Sequence, residues 1–204
     1  MRIFILTTGR AGSKTLIEAC QYINNYTASH ESLTKFFGEK RLDYPDDHIE
    51  ADNRLSWFLG RLDEKFGDEA VYVHLIRDRK KVVKSSMKRW IGRGNIMKPF
   101  CEGIYMTPTF TITSDQKKQI SADYYDCVNS NIALFLKDKT KKMELHLESI
   151  EKDFIRFWKL IGAEGDLDSA IKILEIKHNQ SKKFNYFQNF FWNVKLWLKS
   201  LFNS

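Results

Sequence analysis

The chain has 204 residues, enough for one α/β domain with its own core and short for two. Its 33 basic and 26 acidic residues leave a net charge of +7, which suits an anionic nucleotide, an acidic or sulfated acceptor, a nucleic acid or an anionic membrane surface without separating them. The three cysteines, Cys20, Cys101 and Cys127, form no CxxC pair and are odd in number, which argues for a reducing compartment, and no apolar run approaches a membrane span.

The first strand is expected from about Arg2 to Thr8. Because it starts at residue 2 it leaves no room for a signal peptide, and a soluble cytoplasmic protein is expected. It runs into Gly9-Arg10-Ala11-Gly12-Ser13-Lys14-Thr15-Leu16 and then a helix whose inward stripe is Leu16, Ile17, Ala19, Cys20 and Ile23. A buried strand entering a glycine-containing turn and a helix leaves backbone N–H groups unpaired at the helix start, where Arg10 and Lys14 add positive charge. That combination is a phosphate cradle. It is not a Walker loop, since Thr8 and Ser13 stand where its two glycines are required.

A short strand around Tyr26 to Ser29 delivers His30 and Glu31 at its carboxyl end, the edge where open parallel α/β sheets bind ligands. A polar loop with Pro45, Asp46 and Asp47 then leads to a helix capped by Asp52, with Leu55, Phe58, Leu59, Leu62 and Phe66 on one face and Gly67 as its stop. Residues 71–76 read as a buried strand running into Arg77-Asp78-Arg79-Lys80-Lys81-Val82-Val83-Lys84-Ser85 and a basic helix. Residues 91–114 carry Gly92, Gly94, Pro99, Gly103 and Pro108 with little periodicity, and are the expected acceptor lid. A long helix from about Asp115 to Lys137, a strand from Met143 to Leu147 and a helix from Ile150 to Leu160 follow. This alternation predicts a three-layer sandwich with a central parallel sheet. In residues 184–204, Phe184, Phe187, Phe191, Val194, Leu198 and Leu201 recur at helical spacing with Lys195 and Lys199 opposite. This tail is expected to be an amphipathic helix that packs on the domain, binds a partner or lies on a membrane.

The loop at residues 9–16 resembles the 5′-phosphosulfate loop of the sulfotransferases that use 3′-phosphoadenosine 5′-phosphosulfate (PAPS). The segment from Arg77 to Ser85 resembles their 3′-phosphate segment, a strand-terminal Arg followed by Asp and, one helical stretch later, Ser. Arg79 stands where that family usually has Pro. Weaker likenesses run through Leu145–Ile150, Gly162 and His178-Asn179-Gln180-Ser181 with Lys182 and Lys183 behind it, so the resemblance covers most of residues 1–183. It implies a P-loop-type α/β domain over 1–183 that binds PAPS as co-substrate and sulfates a hydroxyl on a small molecule or carbohydrate, with no nucleic-acid partner and no required metal.

The resemblance implies that Arg10, Ala11, Gly12, Ser13, Lys14 and Thr15 hold the 5′-phosphosulfate, Lys14 also acting in catalysis, and that Arg77 and Ser85 hold the 3′-phosphate. The acceptor proton falls to Glu31, with His30 as competitor. His30-Glu31-Ser32-Leu33-Thr34 starts like a zinc-protease motif but has Thr in place of the second His, so it supplies no tetrahedral metal site. His74 and His146 read as core or near-core residues, and Asp78 as a helix-start group. A kinase on the same cradle and a non-catalytic nucleotide-binding or membrane-associated module are the alternatives.

Overall fold

In a computed structural model of the chain, which describes residues 1–90 and 94–175, the elements alternate as β1 (Arg2–Leu6), α1 (Ser13–Cys20), β2 (Thr27–His30), β3 (His48–Ala51), α2 (Leu59–Phe66), β4 (Val71–Ile76), α3 (Arg79–Met87), α4 (Met97–Ile104), α5 (Ser114–Leu136), β5 (Lys142–His146), α6 (Ile150–Leu160) and α7 (Leu167–Glu175). The five strands pair in the order β2-β3-β1-β4-β5, all parallel, with Ile3 of β1 opposite Ile49 on one side and Val71 on the other. This is the expected α/β sandwich. All five carboxyl ends therefore lie on one edge, with β1 in the middle.

Two apolar layers follow from strand alternation. Ile3 and Ile5 of β1, with Val71, Val73 and Leu75 of β4, face α1, α6 and α7 in a core that includes Leu16, Phe154, Phe157 and Leu174. Phe4, Leu6 and Tyr72 face the other way, where Leu62 and Phe66 of α2, Phe100 of α4 and Tyr124, Val128 and Ile132 of α5 close over them. The 23-residue α5 is fixed at its start by a capping box, in which the Thr113 hydroxyl accepts from Gln116 N and the Gln116 amide oxygen accepts from Thr113 N.

Several sequence expectations are corrected. β1 ends at Leu6 rather than Thr8, because the Thr8 carbonyl is turned to accept the Tyr124 hydroxyl. A strand, β3, occupies His48–Ala51 where only a loop was expected, and it is buried at every position. Ile49 and Ala51 join the first core, while His48 and Glu50 bond to each other, with Thr27 Oγ1 on His48 Nδ1 and Ser32 N and Oγ donating to Glu50. Buried polar groups paired in this way fill strand positions that hydrophobicity alone would not assign.

The helix expected from Asp52 is broken. Asp52 caps a 3₁₀ turn, Asn53–Trp57, by accepting from Arg54 N, and α2 starts only at Leu59. Gly67 does end it. The expected lid at 91–114 contains a helix, α4, whose Pro99 falls in the first turn, where its missing N–H would have no intrahelical partner anyway. Gly92 and Arg93, His178–Ser181, Lys182, Lys183 and the tail at 184–204 lie outside the described residues. Among the described residues no helix is long and apolar enough to cross a membrane.

α7 was not foreseen. It packs on α1, and the approach is made by backbone: Asp166 N donates to Tyr22 O, Asn24 N donates to Glu164 O, and Gly165 bridges Ile23. A Cβ at Gly165 (φ +139°) would fall 2.1 Å from the Tyr22 carbonyl oxygen, so only glycine fits.

His74 lies on β4 with Nε2 2.8 Å from Asn129 Oδ1 of α5. Burial lowers its pKa, partly offset by the bond to Asn129. The unfolded chain therefore takes up a proton that the folded one resists. This contribution to stability is complete above the unfolded value and is lost as pH falls. His74→Gln, which retains a group able to pair with Asn129, is expected to flatten the fall in melting temperature between about pH 7 and pH 5. An unchanged slope would assign the acid sensitivity to other groups.

Candidate functional site

The turn between β1 and α1 is built from three left-handed residues in four. Gly9, Arg10 and Gly12 have φ of 76°, 60° and 91°. Mixed left- and right-handed backbone of this kind is what lets successive N–H groups share one concavity. No side chain caps α1, and its first turn carries no acidic residue. The start of the helix thus keeps its donors and its partial positive charge. Gly12 is fixed from outside as well, since a Cβ there would stand 2.6 Å from Leu147 Cδ1 in the turn after β5.

Sequence-distant groups converge on this turn. Arg77, just past the end of β4, donates from Nη1 to the Arg10 carbonyl at 2.8 Å, and its own carbonyl accepts the Tyr125 hydroxyl at 2.8 Å. Its Nε is buried and has no partner among the described residues, as is also true of Thr7 Oγ1 at the end of β1. Arg10 sends its side chain away from the loop to α3, where Nε donates to Ser85 Oγ at 2.9 Å. Burial and then the neighbouring charges of Arg89 and Arg77 push the Arg10 pKa down. A buried donor without an acceptor and a guanidinium pressed by two others form a local excess of positive charge, the electrostatic complement of a phosphate.

Ser13, at the first position of α1, lies with Oγ 3.0 Å from Nε2 of His30, the last residue of β2. Glu31 follows with φ of 55° and its carboxylate 3.1 Å from Arg54 Nη1. Arg54 also reaches the Gly94 carbonyl at 2.9 Å through Nη2, which links the end of β2 to the segment carrying α4. Ala11 is fully buried, Thr15 is nearly so, and Lys14 is exposed at the start of α1. Asp78 accepts from Lys81 N and so caps α3.

The sequence-assigned residues thus gather into two groups on one edge, Arg10 with Arg77 and Ser85, and Ser13 with His30. Glu31 is instead tied to Arg54. Arg54 was missed, and no motif marks it. Arg89 stood within the basic run but received no role; it lies in the turn after α3, where its N–H bonds the Ser86 carbonyl. Among the described residues no group of three His, Cys, Asp or Glu side chains is disposed to hold a metal ion.

Neither a family model nor a curated protein matches the sequence. Solved structures are similar in fold, among them mouse sulfotransferase SULT7A1 complexed with PAP, with a TM-score of 0.56 and 13% identity over 85% of this chain. The chain has a sulfotransferase-like fold, and the match spans 63% of that chain's length.

Gly12→Ala would place a Cβ against Leu147 at a left-handed position, and is expected to cost about 1–2 kcal/mol in denaturant unfolding. An unchanged midpoint would mean that the turn relaxes freely.

Proposed function

We propose that the protein binds PAPS and transfers its sulfuryl group to an acceptor hydroxyl. The observation that carries this reading is the buried Nε of Arg77, unpartnered among the described residues, on a side chain bonded to Arg10, which in turn meets Ser85, together with the uncapped start of α1. In this assignment the backbone of Ala11, Gly12, Ser13, Lys14 and Thr15, with the Lys14 ammonium and the Ser13 and Thr15 hydroxyls, holds the 5′-phosphosulfate. Arg77 and Ser85 hold the 3′-phosphate. The acceptor oxygen attacks sulfur in line, the bond from sulfur to the phosphate oxygen breaks, and 3′-phosphoadenosine 5′-phosphate leaves as its charge is met by the loop N–H groups and Lys14.

The acceptor proton goes to His30 in preference to Glu31. His30 Nε2 already faces a hydroxyl of the phosphate loop, whereas the Glu31 carboxylate is engaged by Arg54. A carbohydrate acceptor is in keeping with the mixture beside the site, where the polar pair Glu31 and Arg54 adjoins the half-exposed Trp57, whose ring lies 6.2 Å from Phe100. The kinase alternative calls for a strand-end carboxylate turned toward the nucleotide. Asp52, the residue after β3, is fully buried, and its oxygens accept from Arg41 Nη2 at 2.5 Å and Arg54 N at 2.8 Å. That engagement lends the kinase no support.

3′-Phosphoadenosine 5′-phosphate at 100 times its dissociation constant is expected to stabilise the protein by about 2.7 kcal/mol, read as a rise in melting temperature. ADP with magnesium is expected to do much less, and Arg77→Ala to abolish the difference. Stabilisation by ADP with magnesium alone would transfer the reading to a kinase. In turnover with PAPS, His30→Ala is expected to lower kcat by about 10²–10⁴-fold with nucleotide binding retained, and Glu31→Gln by far less. The reverse ranking would return the proton to Glu31.

A further inference from the structure

Among the described residues, the exposed large apolar side chains other than Tyr22, Leu134 and Leu160 stand at Phe36, Phe37 and Trp57 or within 104–110. Both groups belong to the carboxyl edge of the sheet. The first follows the ends of β2 and β3. The second leads into α5, where Asn129 meets His74 inside β4 and, one turn earlier, the Tyr124 and Tyr125 hydroxyls reach the carbonyls of Thr8 and Arg77, just past the ends of β1 and β4. Ser114–Asp123 therefore continue beyond the strand ends, about 15 Å of helix. The segment after α4 is tied to that extension by the Tyr105 hydroxyl, which donates to Asp123 at 2.9 Å.

The exposure is built into the backbone. Met106 has φ of 50° and is followed by Thr107, whose N–H donates to the Cys101 carbonyl and whose hydroxyl donates to the Tyr105 carbonyl. Phe110 sits in a turn closed by Thr111 N and Oγ1 on the Pro108 carbonyl, with Thr109 N and Oγ1 on Glu102. Met106 and Phe110 are held outward at 86% and 89% exposure, and Phe37 stands at 88% after β2. At such exposures each side chain touches almost nothing, so these are separate projections. A protein partner needs about 800 Å² of continuous, packed surface on each side. A lipid surface takes projections singly, each entering the headgroup region on its own.

The charges beside the projections complement an anionic surface. Lys35 and Lys40 bracket Phe37, and Lys117 and Lys118 follow Phe110, all without an ion-pair partner among the described residues, whereas Glu39 is held by Arg61 and Glu102 by Thr109. Asp115 opposes them, but it lies in the first turn of α5, where the helix start favours it. We propose that the carboxyl edge docks on an anionic lipid surface. Phe37, Met106 and Phe110 enter the boundary between headgroups and acyl chains, while the four lysines meet lipid phosphates and carboxylates. This contact uses none of residues 184–204 and does not depend on the nucleotide. It turns the edge that carries Ser13, His30 and Arg77 toward the headgroups.

The test sediments the full chain with vesicles of phosphatidylcholine and phosphatidylserine in equal parts, and with vesicles of phosphatidylcholine alone, beside the double variants Phe37→Ser with Phe110→Ser and Lys35→Gln with Lys40→Gln. The wild type is expected to bind the mixed vesicles more tightly than the neutral ones by about 10-fold or more. The phenylalanine variant should lose about 10–100-fold on the mixed vesicles at an unchanged melting temperature, since both rings are exposed. The lysine variant should lose about 10-fold on the mixed vesicles and little on the neutral ones. No binding by the wild type, or equal binding by the phenylalanine variant, would overturn the proposal, the second result placing the contact elsewhere in the chain. If the phenylalanine variant melts lower, the lysine variant decides, and undiminished binding by it overturns the proposal. Self-association in sedimentation velocity that the phenylalanine substitutions abolish would assign the surface to a second copy of the chain and overturn it as well.

Discussion

The 2.8 Å bond from Arg77 Nη1 to the Arg10 carbonyl joins the ends of two adjacent strands, β1 and β4, at the point where each turns into its helix. An arginine can make this bond and still offer a donor on another side of its fork, which a lysine cannot. The left-handed turn from Gly9 to Gly12 is thereby held from the β4 side by Arg77 and packed from the β5 side by Leu147, whose methyl would have to shift to admit a Cβ at Gly12. Position of the turn, direction of its N–H groups and placement of the cationic side chains are consequences of that packing.

What could be read in the sequence follows from how local its causes are. A strand, a glycine turn and a helix occupy consecutive residues, so the β1 turn and the strand leading to Arg77 were legible. That Ser85 comes back toward the β1 turn, where it meets Arg10, follows from its place on α3, because a helix converts spacing into direction. β3 was not, since His48 and Glu50 are strand residues only because Thr27 and Ser32, distant in the chain, complete their hydrogen bonds. Nor was the contact of Arg10 with Ser85, which requires knowing that the chain passes through left-handed backbone at a residue other than glycine. Arg54 is the extreme case. Its importance lies wholly in joining Glu31 to Gly94, and neither residue signals the other.

The polar interior of the β3 side has a second effect on the site. His48, Glu50, Arg41 and Asp52 are all buried and partnered, and Asp52 keeps its raised pKa mainly through burial, countered by the bonds from Arg54 N and Arg41. Replacing such a network piecemeal would leave an uncompensated group, whereas the intact network rigidifies the strand end from which Arg54 starts. Negative charge near the site is therefore neutralised within the protein, while Arg10 and Arg77 donate to an uncharged hydroxyl and carbonyl and so keep their positive charge.

The contact of Gly165 with the Tyr22 carbonyl also governs the order in which the molecule can be completed. α1 is synthesised well before α7, which forms part of its covering. Until α7 is synthesised, the face that it will cover has no partner, and the central strand β1 waits on β4 as well as β3 for its neighbours. Such a topology favours late, cooperative closure over progressive assembly, and it leaves the nascent chain exposed to association with its own copies during the interval. A chaperone that holds the segment carrying β1 and α1 would act on a part of this fold that waits for its cover until α7 is made.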